Sequence, residues 1–124
     1  MTEELRTRDG DQPLPTRGVE GQEEVGPKVI ADVQALRDAG GYSESAASAM
    51  ILDLQARTQL GAARYGTPLQ THNGRSARLD MYQELLDAAQ YARQHLMESP
   101  SGVAQTRYWA ILRLALITRE EDMW

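Results

Sequence analysis

Apolar residues recur at helical spacing in four segments of this chain, and short stretches rich in glycine, proline or serine separate the segments. No segment shows the strict alternation of apolar and polar residues that is typical of a half-buried strand. The pattern predicts an all-α fold, a small four-helix bundle-like domain with a disordered N-terminal tail. The tail covers residues 1–26 and the domain residues 27–124. The predicted helices cover about residues 28–38, 44–64, 76–97 and 103–120.

The predicted tail is acidic and poor in large apolar residues. Residues 1–24 hold seven acidic residues against three arginines, so −4 of the net charge of −5 lies in this segment. Such a segment buries too little apolar surface to offset the entropy lost on ordering, which predicts disorder. The rest of the chain is nearly neutral and offers no basic surface to a phosphate backbone. We therefore predict no nucleic acid polymer as a partner.

The chain has no cysteine, so it has neither a disulfide nor a thiolate metal ligand. It begins Met-Thr-Glu-Glu-Leu-Arg, which does not resemble a signal peptide. No apolar stretch approaches the roughly 20 residues that a membrane-spanning helix needs. These features predict a cytoplasmic protein without a membrane partner.

Two of the predicted helices are apolar on more than one face. In the last helix, only Arg113 is neither apolar nor aromatic between Tyr108 and Ile117. The second helix carries two apolar faces with a polar strip between them. The apolar faces predict that the second helix is buried on two sides and that the last helix is buried either in the core or between subunits. The last helix is therefore a candidate for an oligomer contact.

Acidic residues form a stripe along the third predicted helix. At 100° per residue the stripe is about 60° wide, and it consists of Asp80, Glu84, Asp87 and Tyr91. Stacked carboxylates repel one another unless a cation lies between them, and Mg²⁺ shares carboxylate oxygens with substrate phosphates. The stripe predicts half of a Mg²⁺–triphosphate site, with Mn²⁺ as the alternative metal and Asp53 as the candidate for the other half. The competing interpretation is the solvated face of an amphipathic helix.

Arginines flank this stripe in sequence. Arg64 ends the second predicted helix, and Arg75 and Arg78 open the third. Guanidinium groups pair bidentately with phosphate oxygens, which makes these three arginines candidate phosphate ligands. Tyr65 and Asn73 lie nearby in sequence and are candidates for contacts to a base or ribose. Each arginine can equally be a surface salt-bridge partner.

Two further residues stand close to the candidate site in sequence. Arg93 lies one turn past the acids, on the side nearer the apolar stripe of the same helix. His72 lies in the turn-rich loop before that helix, where it either contacts a ligand or faces water. The spacing of His72 and His95 is not that of a metal-ligand pair.

The segment from Asp53 to Leu96 resembles small phage and prophage proteins. The shared pattern is Arg/Lys-Tyr-Gly-x-x-Leu, then Asn-Gly-Arg, then a helix reading Asp-x-x-x-Glu-x-x-Asp-x-x-x-Tyr. Those proteins look like diverged relatives of the MazG-like all-α nucleoside triphosphate pyrophosphohydrolases. The resemblance covers about 44 residues, roughly a third of the chain, and leaves out the tail and the last helix.

The resemblance implies a helical bundle assembled as a homodimer or homotetramer. In the MazG-like enzymes, Glu-x-x-Glu on one helix and Glu-x-x-Asp on the next hold Mg²⁺ while water attacks a bound triphosphate. The products are a nucleoside monophosphate and pyrophosphate. Glu84 and Asp87 match the second motif, but Asp53 is followed three residues later by Ala56, so the first motif is not intact.

Three functions are therefore open at the level of sequence. The first is a Mg²⁺-dependent pyrophosphohydrolase acting on a (d)NTP, in which Glu84, Asp87 and Asp53 are the catalytic residues and metal ligands. Asp80 is a further metal ligand, and Tyr91 joins the arginines in binding the substrate. The second is a nucleotide-binding protein that has lost catalysis, and the third is a structural helical protein of a phage or prophage. A phage-encoded protein would act in the cytoplasm of the bacterial host.

Overall fold

The structure, a computed structural model, describes residues 12–120, and within this range the chain is all-α as predicted. The helices are α1 (Gly26–Ala39), α2 (Glu44–Tyr65), α3 (Ala77–Glu98) and α4 (Gly102–Glu120). Their ends lie within one or two residues of the predicted bounds. The described residues contain no strand, only an isolated antiparallel bridge between Glu24 and Gln70. None of the described helices has the length and hydropathy that crossing a membrane requires.

Serine and glycine residues fix helix ends where the sequence predicts them. Ser43 and Ser76 precede α2 and α3, and each Oγ accepts a hydrogen bond from the backbone N–H three residues later, at 3.2 and 3.1 Å. Gly66 ends α2 with a φ of 75°, and its N–H donates to the Ala62 carbonyl at 2.8 Å. This left-handed conformation favours glycine because a Cβ would be strained there.

The chain divides into two compact units. The N-terminal unit is Pro13–Arg75 and contains α1 packed against α2. The C-terminal unit combines Gln12 with the described residues from Ser76 onward and contains α3 packed against α4. No large side chain among the described residues is fully buried. Each unit therefore has a shallow core, built from Val33 and Ile51 in the first and from Leu79, Ala92, Ala104 and Ala115 in the second.

Each helix pair covers only one face of its helices. The second apolar face of α2, which includes Leu52, is exposed. The same holds for the outer face of α4, where Leu116 and Ile117 are exposed. Within its own unit, neither face is therefore covered, and burial of the last helix between subunits stays a prediction. The physical reason is that a two-helix unit has no second layer to place against them.

Residues 13–25 run along the loop that follows α2. The Thr16 N–H donates to the Asn73 carbonyl at 2.9 Å, and the Val25 N–H donates to the Leu69 carbonyl at 3.0 Å. These contacts differ from the disorder that the sequence predicts here, because backbone hydrogen bonds to a loop need no large apolar side chain. The earlier part of the predicted tail lies outside the described residues.

Two glycines near the end of α2 give a matched test of this geometry. Gly61→Ala is expected to raise the free energy of unfolding by about 0.5–1 kcal/mol, because the new Cβ meets nothing within 4 Å and alanine favours the helix. Gly66→Ala is expected to lower it by about 1 kcal/mol because of its positive φ. Denaturant unfolding followed by circular dichroism measures both. Stabilisation by both changes would contradict the left-handed end of α2.

Candidate functional site

The structure divides the predicted site residues between the two units. The N-terminal unit holds Asp53, Arg64, Tyr65, Asn73 and Arg75. The C-terminal unit holds Arg78, Asp80, Glu84, Asp87 and Tyr91. Each unit therefore carries its own part of the predicted constellation.

The acidic stripe lies on the exposed face of α3. Glu84 and Asp87 are exposed, and Tyr91 is 69% exposed. Asp80 is half-buried, and its Oδ1 accepts a hydrogen bond from Gln12 Nε2 at 2.9 Å. The stripe thus begins at a carboxylate that Gln12 holds in place and continues along a surface that a ligand can reach.

The carboxylates of α3 do not form a metal site by themselves. Within residues 12–120, no three histidine, aspartate or glutamate side chains come together in a way that could hold a metal ion. Mg²⁺ commonly takes one or two protein carboxylates and completes its coordination with water and substrate phosphates. Glu84 and Asp87, three residues apart on neighbouring turns of α3, can supply one or two such oxygens.

A groove of about 640 Å³ lies between α3 and α4 within the C-terminal unit. Its volume is in the range of about 300–1,000 Å³ that is typical of small-molecule sites. The guanidinium carbon of Arg93 lies 5.6 Å from the centre of the Tyr108 ring, a cation–π contact. Four apolar side chains line the groove, namely Leu86, Ala89, Met97 and Leu112, and its polar members are Gln90, Arg93, Gln94, Glu98 and Tyr108.

Asp87 does not line this groove, but it lies on the same helix, next to Leu86 and three residues before Gln90, which both line it. Gln94, which lines the groove, lies seven residues further along α3 and is turned by only about 20° from Asp87. The acidic stripe and a groove that offers a guanidinium group and an aromatic ring therefore share the helix α3. Sequence reasoning had placed Arg93 close to the acids but gave no role to Tyr108. The packing of α4 against α3 brings these two residues together, and neither motif nor spacing indicates it.

The Asn-Gly-Arg sequence forms a turn that holds the N-terminal segment. Asn73 Oδ1 accepts a hydrogen bond from the Arg75 N–H at 3.1 Å, and Gly74 has a φ of 80°. Arg75 Nη1 donates to the Pro13 carbonyl at 2.6 Å. Two residues that the sequence makes candidate nucleotide ligands therefore have structural partners, Asn73 within the loop and Arg75 in the N-terminal segment. Their ligand roles stay predictions from the sequence.

The other predicted residues of the N-terminal unit lie on α2 and in the loop after it. The Arg64 guanidinium carbon lies 5.1 Å from the centre of the adjacent Tyr65 ring, and Asp53 is exposed on α2. His72 is exposed and adopts a positive φ of 54°. Its backbone carbonyl accepts a hydrogen bond from Gln22 Nε2 at 3.2 Å. These contacts fix the loop, and the ligand roles of these side chains stay predictions from the sequence.

Comparison with protein-family models, with curated proteins and with solved structures finds no match to this chain. The relation to the MazG-like enzymes therefore rests on the residues quoted above and stays a prediction. Within the C-terminal unit, the acidic stripe and the groove between α3 and α4 are the candidate site.

Proposed function

We propose that this chain is a MazG-like, Mg²⁺-dependent nucleoside triphosphate pyrophosphohydrolase. It would hydrolyse a (d)NTP to the (d)NMP and pyrophosphate. The observation that supports this proposal is that Glu84 and Asp87, one turn apart, lie on the same helix as Arg93, which lines a groove together with Tyr108. Acidic metal ligands, a cation for phosphates and a ring for a base thus lie in one compact unit.

Each of these residues has its own role in the proposed reaction. Glu84 and Asp87 are proposed as metal ligands, and Asp80 as a further ligand or a base for the attacking water. The Arg93 guanidinium pairs with phosphate oxygens, and the Tyr108 ring offers a face on which a base can stack. When bound, Mg²⁺ neutralises phosphate charge and favours ionisation of a coordinated water. With Asp80 as the base, a proton of the attacking water would pass to its carboxylate. The water oxygen would bond to the α-phosphorus, the bond from that phosphorus to the bridging oxygen would break, and pyrophosphate would leave.

The other site residues predicted from the sequence, the location and the assembly are separate hypotheses. Arg64, Arg75 and Arg78 are proposed to contact phosphates, and Tyr65, Asn73 and Tyr91 to contact the base or ribose. Asp53 is proposed as a further metal ligand. We further propose that the protein acts in the cytoplasm as a homodimer or homotetramer, and that it is of phage or prophage type.

A second candidate function is nucleotide binding without catalysis. The observation that favours it lies on α2. Three residues after the exposed Asp53 stands Ala56, where the MazG-like motif has a second carboxylate. With fewer acidic ligands, the chain can hold fewer metal ions. Such a protein would sense or sequester nucleotides. A structural helical protein that binds no nucleotide is the third candidate.

A thermal-shift screen tests these functions. With a nucleoside triphosphate and Mg²⁺ or Mn²⁺ present, the melting temperature is expected to rise, because a ligand at 100 times its Kd adds about 2.7 kcal/mol of stability. Asp87→Asn is expected to remove most of the shift. Asp32→Asn is the matched control, since Asp32 is an exposed aspartate on α1, far in sequence from the acidic stripe.

The outcomes separate the three candidates. A shift together with pyrophosphate release supports the enzyme. A shift without release under any divalent metal supports the binding protein. If no nucleoside triphosphate changes the melting temperature, both nucleotide functions are overturned. If the rise in melting temperature is the same in Asp87→Asn as in the wild type, the acidic stripe is not part of the nucleotide site.

A further inference from the structure

A strap formed by residues 13–25 lies along the loop of residues 66–75 within the N-terminal unit. Backbone hydrogen bonds of 2.9–3.0 Å join the two segments at three places, which are Val25 N–H to the Leu69 carbonyl, Thr71 N–H to the Glu23 carbonyl and Thr16 N–H to the Asn73 carbonyl. Gln22 adds a side-chain connection, since its Nε2 donates to the carbonyls of Thr16 at 3.0 Å and His72 at 3.2 Å. The strap is therefore attached to the loop from Thr16 to Val25.

Apolar burial contributes little to this attachment. None of the strap residues is buried, and Leu14 and Val19 are 68% and 45% exposed. Hydrogen bonds at the surface replace equivalent bonds to water and add little net stability. Segments held in this way open locally while the packed helices stay folded. The strap can therefore leave the loop without unfolding α1 or α2.

The strap and the loop carry opposite charges. The strap holds three glutamates against Arg17, a net charge of −2. The loop has no acidic residue, and Arg64 lies just before it and Arg75 ends it. An acidic segment is attracted to such a loop, and in this position it also repels an approaching anion. The strap thus competes with an anionic ligand for the same loop.

This competition is most direct at Arg75. Its Nη1 donates to the Pro13 carbonyl at 2.6 Å, so the strap occupies part of a guanidinium group that is a candidate phosphate ligand. In the opposite direction, Arg17 Nη1 donates to the Gly66 carbonyl at 2.9 Å. Both acceptors are neutral carbonyls, and an anionic phosphate oxygen is a stronger acceptor for a guanidinium group. A phosphate chain can therefore displace these contacts.

We propose that residues 13–25 are an autoinhibitory strap, which an oligophosphate chain displaces from the loop when it binds Arg75. This inference rests on the phosphate-binding role proposed for Arg75 and adds a regulation of that role. With the strap closed, only the open fraction of the molecules binds, so the apparent Kd is the intrinsic Kd divided by that fraction. Changes that open the strap and leave Arg75 in place are then expected to tighten binding.

Gln22→Ala opens the strap without changing a candidate ligand. It removes the two bonds from Nε2 and also the bond that Gln22 Oε1 accepts from the Val19 N–H at 3.1 Å. The probe is inorganic triphosphate, with and without Mg²⁺, because it contains no base, and isothermal titration of the full chain measures its Kd. The variant is expected to lower this Kd about tenfold. Gln55→Ala, the same change at an exposed position of α2, is the matched control and is expected to leave the Kd within about twofold.

Amide hydrogen exchange measures the opening of the strap directly. Without ligand, the N–H groups of Thr16 and Val25 are expected to exchange about tenfold faster in Gln22→Ala than in the wild type, while those inside α2 do not change. Adding inorganic triphosphate to the wild type is expected to speed the exchange of the same two groups, because binding opens the strap. A ligand that covers the closed strap would slow them.

The outcomes separate this inference from the proposed function. Tighter binding in Gln22→Ala together with faster exchange supports the strap, also where only the variant binds measurably. Equal Kd values in the two proteins, with exchange at Thr16 that the ligand leaves unchanged or slows, overturn the strap and leave the phosphate site in place. If neither protein binds triphosphate, the phosphate role of Arg75 is overturned and the strap with it.

Far-UV circular dichroism checks that Gln22→Ala keeps its helices. If it does not, the double change Glu20→Gln and Glu24→Gln replaces it, since both side chains are exposed on the strap. Less acidic charge then opposes the anion, and the Kd is expected to fall about threefold at low ionic strength and less at high ionic strength. An unchanged Kd in this variant would count against the strap in the same way.

Discussion

Replacing Leu79 by alanine is expected to lower the free energy of unfolding of the C-terminal unit by about 2–4 kcal/mol. Leu79 is 6% exposed in the first turn of α3, and it is the largest side chain in the buried core of this unit. The substitution removes apolar contacts and leaves a cavity that two helices cannot easily close. Thermal or urea unfolding followed by far-UV circular dichroism measures the loss.

Leu86→Ala is the matched control for this prediction. Leu86 lies two turns later on the same helix but is 41% exposed. The same deletion of side-chain atoms is therefore expected to cost less than about 1 kcal/mol, since surface substitutions are usually close to neutral. Equal losses from the two variants would contradict the burial of Leu79 and the partial exposure of Leu86 on the same side of α3.

Removing the carboxylate charge from Glu84 or Asp87 is expected to lower kcat/KM for pyrophosphate release by about 100-fold or more. This prediction depends on the proposed enzyme function. Glu84→Gln and Asp87→Asn keep the side-chain shape and lose only the charge, so a bound divalent ion loses an anionic ligand. Changes to groups that merely support metal ligands already cost 10- to 100-fold, so a direct ligand is expected to cost at least as much.

Varying the metal concentration gives this assay an internal control. If the lost charge acts through metal binding, raising the Mg²⁺ or Mn²⁺ concentration is expected to recover part of the activity of each variant. Asp32→Asn is expected to keep wild-type activity and wild-type metal dependence. Full activity in Glu84→Gln and in Asp87→Asn would place the chemistry elsewhere in the chain.

The Asn-Gly-Arg motif shows how one set of residues supports two interpretations. From sequence, Asn73 and Arg75 are candidate nucleotide ligands because of their polar groups and the resemblance. In the structure, Asn73 closes a turn and Arg75 binds the Pro13 carbonyl. The turn also exposes the Asn73 carbonyl to the Thr16 N–H, which helps to hold the N-terminal segment. The motif therefore has an architectural use whether or not it contacts a ligand.

The sequence by itself determined the helices and their ends. Helix periodicity, the serine caps at Ser43 and Ser76 and the glycine end at Gly66 are local features, because they depend on neighbours within a few residues. The stripe of acids on α3 is local in the same sense. Once the helix forms, its geometry alone places Asp80, Glu84 and Asp87 on one face.

Only the tertiary structure decided which apolar faces are covered and which residues meet across helices. The sequence marks both faces of α4 as apolar, but the pairing with α3 decides that Ala104 is buried and Ile117 exposed. The approach of Arg93 to Tyr108 and the path of residues 13–25 along the loop likewise join residues distant in sequence. Such contacts depend on the relative placement of whole helices, which no local pattern of residues encodes.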